Sequence, residues 1–389
     1  MPPPPVAVTG VGTVSAAGVG HEQLWTSLVA RDDGATPGPM TDFDPSPWYR
    51  PNEARRTDPY LQYAVAAAAL ALDDAGAPAV PPDRTGVVMG NVYGAAVSLE
   101  AQRDVLAARG PKAVSPLLAA QASRTPARRR SACASASAAR RASPVPAAPA
   151  GPSPSVTGPR SSPAAPATSC WPVPPSGPIT PVLRASYEVL RVLTRGDRAR
   201  PFDRRRDGFV IADGACVLVL ESAAHATARG ADVLAWIVGW AQTNDAHHIS
   251  NPSGEGLERC MRTAIDHAGL HPEEIVHVNA HATGTGAGDQ QEAGAIGRVF
   301  GAHRPSVTAV KGRTGHAMSA AGAFEAASVV LSFRHRLLPP TATDLELDPA
   351  IDLDVVHRAP RPWSPGPVLS GSVGLGGQNA CLVLVPPTD

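Results

Sequence analysis

Two histidines stand in loops of small residues, where their chemistry would be open to a substrate. His281 follows a β-run at 275–280 and begins a loop that carries the hydroxyls of Thr283 and Thr285. His316 lies in a glycine turn that precedes a helix of small residues. Catalytic groups concentrate in loops held by rigid elements, and histidine titrates closest to neutral pH. The pattern predicts two catalytic histidines; the alternative is that each is a structural residue of its turn.

Two glycine-rich stretches have both a functional and a structural interpretation. The sequence Ser-Val-Gly-Leu-Gly-Gly-Gln-Asn at 372–379 precedes the last β-run and by itself is typical of a hairpin. The sequence Gly-Val-Gly-Thr-Val-Ser at 10–15 resembles half of a dinucleotide-binding fingerprint, but Ser15 replaces the third glycine and no helix begins there. At this second stretch we expect a tight turn after the first strand rather than a cofactor site.

The elements that must position these loops alternate between β-runs and helices. The β-runs are at 6–9, 85–89, 215–220, 275–280 and 380–385. The helical patterns are at 58–75, 184–194, 256–268, 289–299 and 320–333. This alternation predicts an α/β protein whose sheets are largely covered on their faces.

The segment 121–178 breaks the pattern. It contains 13 prolines but no Leu, Ile, Phe, Met, Asp, Glu or Lys. Such a composition offers too little apolar area to offset the entropy of ordering, and proline removes donors from helices and strands. Taken literally, the segment is a disordered cationic insert in which neither helix nor strand persists.

Charge and cysteine content disfavour several classes of protein. The 34 basic and 34 acidic residues cancel, so no overall field attracts nucleic acid or an anionic membrane. No basic region leads into an apolar segment after Met1, and no run long enough to span a bilayer occurs. The five cysteines are widely spaced and lack a Cys-X-X-Cys pair, which speaks against a zinc site or a disulfide framework. We expect a cytoplasmic protein with free thiols and no bound metal.

The three loops, in this order, resemble those of the β-ketoacyl-acyl-carrier-protein synthases, the type II elongating ketosynthases of the thiolase superfamily. Further matching stretches lie outside the loops, at 6–43, 55–117 and 200–215. The resemblance covers most of the chain and fails over 121–178. Ala282 stands where the family usually has glycine, and Leu375 where it usually has phenylalanine.

The resemblance implies a fold, a reaction and partners. The fold would be the thiolase-like α-β-α-β-α layered architecture, with two pseudo-duplicated halves around the active site. In the reaction a cysteine takes an acyl chain from a carrier thioester, malonyl-carrier is decarboxylated, and its enolate attacks the acyl-enzyme. The partner would be acyl carrier protein, whose phosphopantetheine arrives with the substrate, so no cofactor is expected on the enzyme. Assembly as a homodimer, or as a heterodimer with a ketosynthase-like subunit, is also implied.

The resemblance also implies catalytic roles. His281 and His316 would be the two histidines whose neutral N–H groups stabilise the thioester oxygen as negative charge develops. Lys311 and Glu325 would be the pair that tunes and orients them.

Four further residues would bind the substrate by resemblance. The hydroxyls of Thr283 and Thr285 would hold the phosphopantetheine arm. The backbone N–H of Leu375, in the turn with Gly376, would supply half of the oxyanion hole. Because Leu375 lacks the usual phenyl ring, the family's gating side chain is absent there.

The nucleophilic cysteine is missing from its expected position. Counted from Ser115-Pro116 and back from Thr180-Pro181, the family's spacing falls on Ala148, and a methyl group cannot accept an acyl chain. Cys133, in Ser-Ala-Cys-Ala-Ser, imitates the family's local motif, but it lies too early and follows three arginines instead of a β-run. We therefore predict a β-ketoacyl synthase that is impaired as written.

An error of reading frame would explain the aberrant segment. Codons read across the boundary of Ala147 and Ala148 are compatible with Cys-Ala-Ser-Gly, and those over 167–173 with the buried strand Asp-Val-Val-Leu-Ala-Gly. We hypothesise that 121–178 is an out-of-frame reading of the catalytic segment, closed by a compensating shift; a natural Pro/Ala linker is the alternative. The predicted organisation is the start of an N-terminal half, the aberrant segment, the end of that half, and a C-terminal half, at 1–120, 121–178, 179–225 and 226–389.

Three other classes compete with an active ketosynthase. A non-catalytic partner subunit of the chain-length-factor type would explain the missing cysteine but not the retention of both histidines. A misfolded product without activity would follow from the loss of a buried strand and helix. A CoA-dependent thiolase would need a second cysteine in the last glycine loop, where this chain has none.

Overall fold

The computed structural model describes residues 3–31, 34, 36–78, 85–87, 92–119, 168–172, 176–248 and 253–387. Cys133 and Ala148 lie outside the described residues. Within those ranges the strands are β1 Val6–Ser15, β2 Gly18–Val19, β3 Thr85–Val87, β4 Thr168–Pro172, β5 Gly214–Ser222, β6 Ala235–Asn244, β7 His277–Asn279, β8 Ser306–Thr308, β9 Leu337–Leu338, β10 Asp354–Val355, β11 Arg361–Pro362, β12 Val368–Gly374 and β13 Gln378–Val385.

Helices connect these strands and cover the sheet. Asp58 caps the helix at 59–74 by accepting the backbone N–H of Tyr60, with proline at the first helical position. The α-helices of the described residues are α1 His21–Val29, α2 Pro51–Ala54, α3 Pro59–Asp74, α4 Ala96–Arg109, α5 Pro181–Val189, α6 Ala223–Ala228, α7 Glu255–Ala268, α8 Gly286–Phe300, α9 Lys311–Thr314 and α10 Ala321–His335. No helix among the described residues is long and apolar enough to cross a membrane.

Eleven of the described strands form one mixed sheet whose two parts meet at its centre, and β9 pairs with β11 in a separate two-stranded sheet. The order is β10-β8-β7-β12-β13-β6-β1-β5-β4-β3, and β2 pairs with β1. Strands β1 to β5 all precede residue 226, whereas the others in this sheet follow it. The parts join where β1 pairs antiparallel with β6, Val6 opposite Ile237 and Val8 opposite Ala235.

Helix α10 lies between the two parts of the sheet and creates the layered core. Its apolar residues, such as Val330, share one cluster with Leu220 of β5 and Leu384 of β13. On the outer faces, α3 packs on β1 and β5, and α7 packs on β6 and β13. The order of layers is therefore helix, sheet, helix, sheet, helix, as the resemblance implies.

The predicted tight turn at 10–15 is wrong, because β1 continues through it to Ser15. Gly10 and Gly12 instead allow α3 to lie directly against the strand. A Cβ atom at Gly12 would stand 2.0 Å from the carbonyl oxygen of Ala67, and one at Gly10 would stand 2.2 Å from that of Ala71. These glycines serve helix–strand contact, and no phosphate-binding turn forms there.

The expectation that no strand persists in 121–178 is wrong at β4. Thr168–Pro172 pairs in parallel with β3 and antiparallel with β5. Main-chain hydrogen bonds from neighbours on both sides do not depend on side-chain type, and proline stands at only the last position of the strand.

Other sequence predictions agree with the structure in position but not in every boundary. The predicted helix at 184–194 runs from Pro181 to Val189. The long strand Ala235–Asn244 and the helices His21–Val29 and Ala96–Arg109 were not predicted. The last of these helices has no buried residue, so it lacks the apolar stripe that would have indicated it.

Candidate active site

The predicted histidines, the threonines of the first loop and the glycine turn all line one pocket of about 330 Å³. Strand β7 ends at Asn279 and leads into the loop of His281. Helix α8 begins at Gly286, directly after the threonines. Hairpin β12–β13 brings the turn at 375–377 to the same pocket. Three loops far apart in the sequence thus meet at one place.

Lys311 and Glu325 form a buried ion pair beside His281. Each of the two side chains is 1% exposed. The ammonium Nζ of Lys311 donates to Oε1 of Glu325, to the carbonyl oxygen of His281, and to Nδ1 of His281 at 3.0 Å. The second carboxylate oxygen of Glu325 accepts from the hydroxyl of Ser372 at 2.8 Å. All three ammonium hydrogens have acceptors, which offsets the cost of burying the charge.

The contact with Lys311 decides which nitrogen of His281 carries the proton. An ammonium group has no acceptor, so Nδ1 of His281 must accept its hydrogen bond. Glu325 Oε1 lies farther from Nδ1, at 3.4 Å, beyond the usual hydrogen-bond range. The neutral ring therefore holds its hydrogen on Nε2, where it can be donated to a group outside the ion pair.

The charges around the pocket keep both imidazoles neutral. Burial lowers the pKa of His281, and the Lys311 ammonium lowers it further against the opposing effect of Glu325. Burial, Lys311 and His281 together lower the pKa of His316 well below its usual value. Burial raises the pKa of Glu325, but Lys311 and His281 together outweigh that effect and lower the pKa to about 2. At neutral pH both histidines can donate N–H hydrogen bonds without carrying charge.

His316 faces His281 across the pocket. Their ring centroids are 5.5 Å apart and their planes are nearly perpendicular, at 82°. The backbone N–H of His316 donates to the oxygen of Val210 at 2.8 Å, and its ring packs edge-on against Phe209 at 4.8 Å. Gly315 precedes it with φ 67°, and a Cβ there would meet a backbone oxygen at 2.3 Å. Only glycine fits the turn that sets the direction of this histidine.

Two acidic side chains of α8 hold the loop of His281. Glu292 accepts the backbone N–H of His281 at 2.8 Å and that of Ala282 at 2.7 Å, one on each oxygen. Asp289 accepts the N–H of Gly284 at 3.0 Å. Burial raises the pKa of Glu292 to about 7 and that of Asp289 to about 6, although these hydrogen bonds oppose the shift. The loop is thus anchored to the helix through its own main chain.

The glycine turn at 375–377 connects the two strands of the β12–β13 hairpin and also lines the pocket. Gly376 and Gly377 have φ values of 85° and 74°, a region that other residues adopt at a cost. The backbone N–H of Asp245 donates to the carbonyl oxygen of Gly377 at 2.8 Å, and Asn379 Nδ2 donates to the Asp245 carboxylate at 2.8 Å. Leu375 lies at the rim, with 54% of its surface exposed.

None of the three cysteines whose side chains the structure describes lines the pocket. Cys216, Cys260 and Cys381 are buried in the core with free thiols. The structure therefore brings together His281, His316, Lys311, Glu325 and the predicted substrate-binding residues, but it does not place a nucleophile among them. In the ranges that the structure describes, no group of histidine, cysteine and acidic residues could hold a metal ion.

Sequence reasoning missed several residues of this site. Glu292 and Asp289 stand one helical turn apart on one face at the start of α8, a spacing that could have indicated a shared role. Ser372 begins the glycine-rich stretch at 372–379, but no role was assigned to it. Phe209 was included in a matching stretch but was not assigned to the pocket.

Comparison with known proteins identifies the family. The sequence model of the β-ketoacyl synthase N-terminal domain matches residues 40–139 and 176–226, and that of the C-terminal domain matches 234–343. The chain belongs to the β-ketoacyl synthase family. The interruption at 140–175 contains position 148, whereas Cys133 falls inside the first matched range.

Relatives extend this β-ketoacyl synthase match over nearly the whole chain. The 3-oxoacyl-[acyl-carrier-protein] synthase 2 of Mycobacterium tuberculosis (strain ATCC 25618 / H37Rv) is 34% identical over 407 residues, covering 97% of this chain and 96% of that protein. A β-ketoacyl synthase from Burkholderia phymatum STM815 superposes with a TM-score of 0.84 at 26% identity, covering 99% of this chain and all of the other. The ishigamide ketosynthase/chain length factor superposes with a TM-score of 0.79 at 29% identity, with the same coverage. The thiolase-like fold and the acyltransferase family are confirmed.

Proposed function

We propose that this β-ketoacyl synthase serves fatty acid or polyketide synthesis by decarboxylating malonyl-acyl carrier protein between His281 and His316. The observation that supports this most is the 3.0 Å contact of Lys311 Nζ with Nδ1 of His281, which leaves Nε2–H free to donate. When the bond between the α-carbon and the carboxylate breaks, CO2 leaves and the electron pair of that bond forms the enolate. Negative charge then grows on the thioester oxygen, where neutral N–H donors stabilise it. With no acyl-enzyme to attack, the enolate takes a proton from water and gives acetyl-acyl carrier protein.

The substrate would enter as a carrier-bound thioester. The hydroxyls of Thr283 and Thr285, 3.0 Å apart on the pocket wall, suit the amide groups of a phosphopantetheine arm. The N–H of Leu375, next to Gly376, would meet the oxygen of the acyl thioester. The printed name of the mycobacterial relative supports acyl carrier protein as the partner, and the ishigamide pair supports assembly with a ketosynthase-like subunit. We place the reaction in the cytoplasm and expect no cofactor held by the enzyme itself.

Condensation would be impaired in the chain as written. Acyl transfer needs a thiolate, and the counted position holds Ala148, while Cys133 has the local motif without the register. The family match is interrupted at 140–175, inside the segment 121–178 for which we propose a frame error, although the match itself continues to residue 139. The chain as written would then decarboxylate malonyl groups, but it would not bind an acyl chain covalently. Condensation would therefore not occur.

The test measures CO2 release from malonyl-acyl carrier protein in the absence of an acyl donor. We expect release above the background without enzyme, and intact-mass analysis should show no acyl adduct. Absence of CO2 release from folded protein would contradict the proposal.

A chain-length-factor-type subunit is the second candidate. It is favoured by Ala148 at the counted position of the nucleophile and by the ketosynthase/chain length factor among the similar structures. Such a subunit would form a stable complex with a separate ketosynthase and release no CO2 alone. Size-exclusion chromatography of the mixture, together with the CO2 assay, separates the two candidates.

A further inference from the structure

The one-turn helix α9 has a residue of the candidate site at each end. Lys311 begins the helix, and His316 follows it after Gly315. The backbone N–H of Gly315 donates to the carbonyl oxygen of Lys311 at 3.0 Å, but the N–H of His316 turns away and donates to Val210. A longer helix would join the carbonyl oxygen of Gly312 to the N–H of residue 316. In this turn the oxygen of Gly312 must therefore find its partner outside the helix.

Thr36 supplies that partner from the N-terminal part of the chain. Its hydroxyl donates to the carbonyl oxygen of Gly312 at 3.0 Å and accepts the backbone N–H of Ala199 at 3.0 Å. Its own backbone N–H donates to the carbonyl oxygen of Asp197 at 2.9 Å. The residue is 7% exposed, so water competes little for these hydrogen bonds. One buried hydroxyl thus joins helix α9 to the loop at 197–199.

Two further contacts reach helix α9 from the same part of the chain. The guanidinium of Arg313 donates to the carbonyl oxygen of Ala30 at 2.7 Å. The carbonyl oxygen of Pro37 lies so close to Gly315 that a Cβ atom there would be 2.3 Å away. The first contact is made by a long side chain and the second is only steric. Of the three contacts, that of Thr36 is the one that holds the main chain of the helix by a hydrogen bond.

The position of helix α9 controls both histidines of the pocket. At its start, Nζ of Lys311 lies 3.0 Å from Nδ1 of His281. At its end, the turn through Gly315 leads into His316, which lines the pocket. A shift of the helix would therefore lengthen the first contact and move the second histidine at the same time. Misplacement of groups that stabilise a transition state lowers the rate more than it weakens substrate binding.

We propose that Thr36 is a positioning residue for malonyl decarboxylation, because its hydroxyl fixes the carbonyl oxygen of Gly312 and thereby holds Lys311 and His316 in place. The inference rests on the proposed function, since the groups that Thr36 positions are those assigned to the reaction. Thr36 is not among the residues that line the pocket, so it acts only through helix α9. Loss of its hydroxyl should therefore lower kcat and leave KM almost unchanged.

Steady-state kinetics of CO2 release from malonyl-acyl carrier protein tests the inference. Thr36→Val keeps the branched shape, but it can neither donate to Gly312 nor accept from Ala199. We expect kcat to fall at least about tenfold, with KM within about twofold of the wild type. Thr36→Ser restores the hydroxyl and should return kcat to within about threefold of the wild type. Wild-type kcat in folded Thr36→Val, or no recovery in Thr36→Ser, would overturn the inference.

Thr9→Val is the matched control for loss of a buried hydroxyl. Thr9 is 1% exposed and donates to the carboxylate of Glu221 at 2.5 Å, away from the pocket. This variant should have a lower melting temperature but a kcat within about twofold of the wild type. An equal fall of kcat in Thr9→Val and Thr36→Val would show a general loss of packing and contradict the positioning role. Thr36→Ala replaces the valine variant if that one does not fold.

Hydrogen exchange followed by mass spectrometry measures the hold on helix α9 without catalysis. In Thr36→Val the peptide that covers 311–317 should exchange at least about tenfold faster than in the wild type, whereas Thr9→Val should leave it unchanged. If the wild type releases no CO2 while exchange rises as expected, the decarboxylation proposal is wrong and the hold of Thr36 on helix α9 stands. Unchanged exchange in Thr36→Val would overturn the inference whatever the CO2 assay shows.

Discussion

Nζ of Lys311 lies 3.0 Å from Nδ1 of His281 while the same ammonium is paired with the carboxylate of Glu325. A single buried cation thereby sets the tautomer of the histidine, and burial together with this cation lowers the pKa of His281 and keeps its ring neutral. The hydrogen on Nε2 that the proposed function requires of His281 is thus decided on the side of the ring that faces Lys311.

Lys311→Met should lower malonyl decarboxylation at least about 100-fold, because His281 loses the donor that keeps its hydrogen on Nε2. It should also lower the free energy of unfolding by about 3 kcal/mol, since Glu325 is left as an unpaired buried charge. The double variant Lys311→Met/Glu325→Gln should recover stability but not activity. Recovery of both would show that Lys311 acts only on stability. The exposed Lys112→Met is the control for loss of a lysine.

His281→Ala and His316→Ala should each lower decarboxylation at least about 100-fold, the scale of losing one preorganised donor. Melting temperatures should change little, whereas purely structural histidines would lower the melting temperature without a specific effect on CO2 release. His271→Ala, at an exposed position, serves as the control. Normal CO2 release in either pocket variant would remove that histidine from the site. In a frame-restored protein, we expect acyl transfer to be less affected than decarboxylation.

The chain as written should form no acyl-enzyme, because no thiol stands at the counted position 148. Intact-mass spectrometry after incubation with acyl-acyl carrier protein checks this. An adduct on Cys133 would overturn the assignment.

Sequencing codons 118–182 should reveal a single-base insertion or deletion near codon 121 and an opposite one near codon 178. A confirmed frame whose bases forbid a cysteine codon across 147 and 148 would end the frame hypothesis.

The stability of the protein should depend on the titration of Glu292. Burial raises its pKa to about 7, whereas an unfolded glutamate titrates near 4.3. Between these values the folded state binds the proton more tightly, so the free energy of unfolding falls as the pH rises, by up to about 4 kcal/mol. Denaturation measured at about pH 5 and about pH 7 gives the fall in the free energy of unfolding between these values. This fall should be smaller in Glu292→Gln than in the wild type. The exposed Glu255→Gln should keep the fall of the wild type; equal falls in all three proteins would refute the role of Glu292.

Gly12→Ala should lower the free energy of unfolding by about 3 kcal/mol, because the new methyl group would overlap the carbonyl oxygen of Ala67 at 2.0 Å. Gly297→Ala places the same methyl group in open space on helix α8 and should raise stability by up to about 1 kcal/mol. Urea denaturation of both variants measures these changes in the free energy of unfolding. Similar effects of the two substitutions would contradict the close approach of α3 to β1.

The family, the order of the three loops and the main helices could be predicted from the sequence, because those features are local. Helix 59–74 follows from a capping aspartate, a proline and apolar spacing, all within one stretch of chain. The candidate residues His281 and His316 likewise follow from short motifs. The missing cysteine is also a property of the sequence, since it depends on a count along the chain.

Only the tertiary structure decided which main-chain and side-chain groups meet. Glu292 holds His281 through a backbone N–H, and the hydroxyl of Tyr93 meets that of Tyr187, although 94 positions separate the two tyrosines. The spacing of its glycines assigned Gly12 to a turn. In the structure Gly12 lies in strand β1, where the absence of a side chain allows helix α3 to approach the strand. Such contacts arise when distant segments pack together, and no periodicity within a short stretch of sequence can record them.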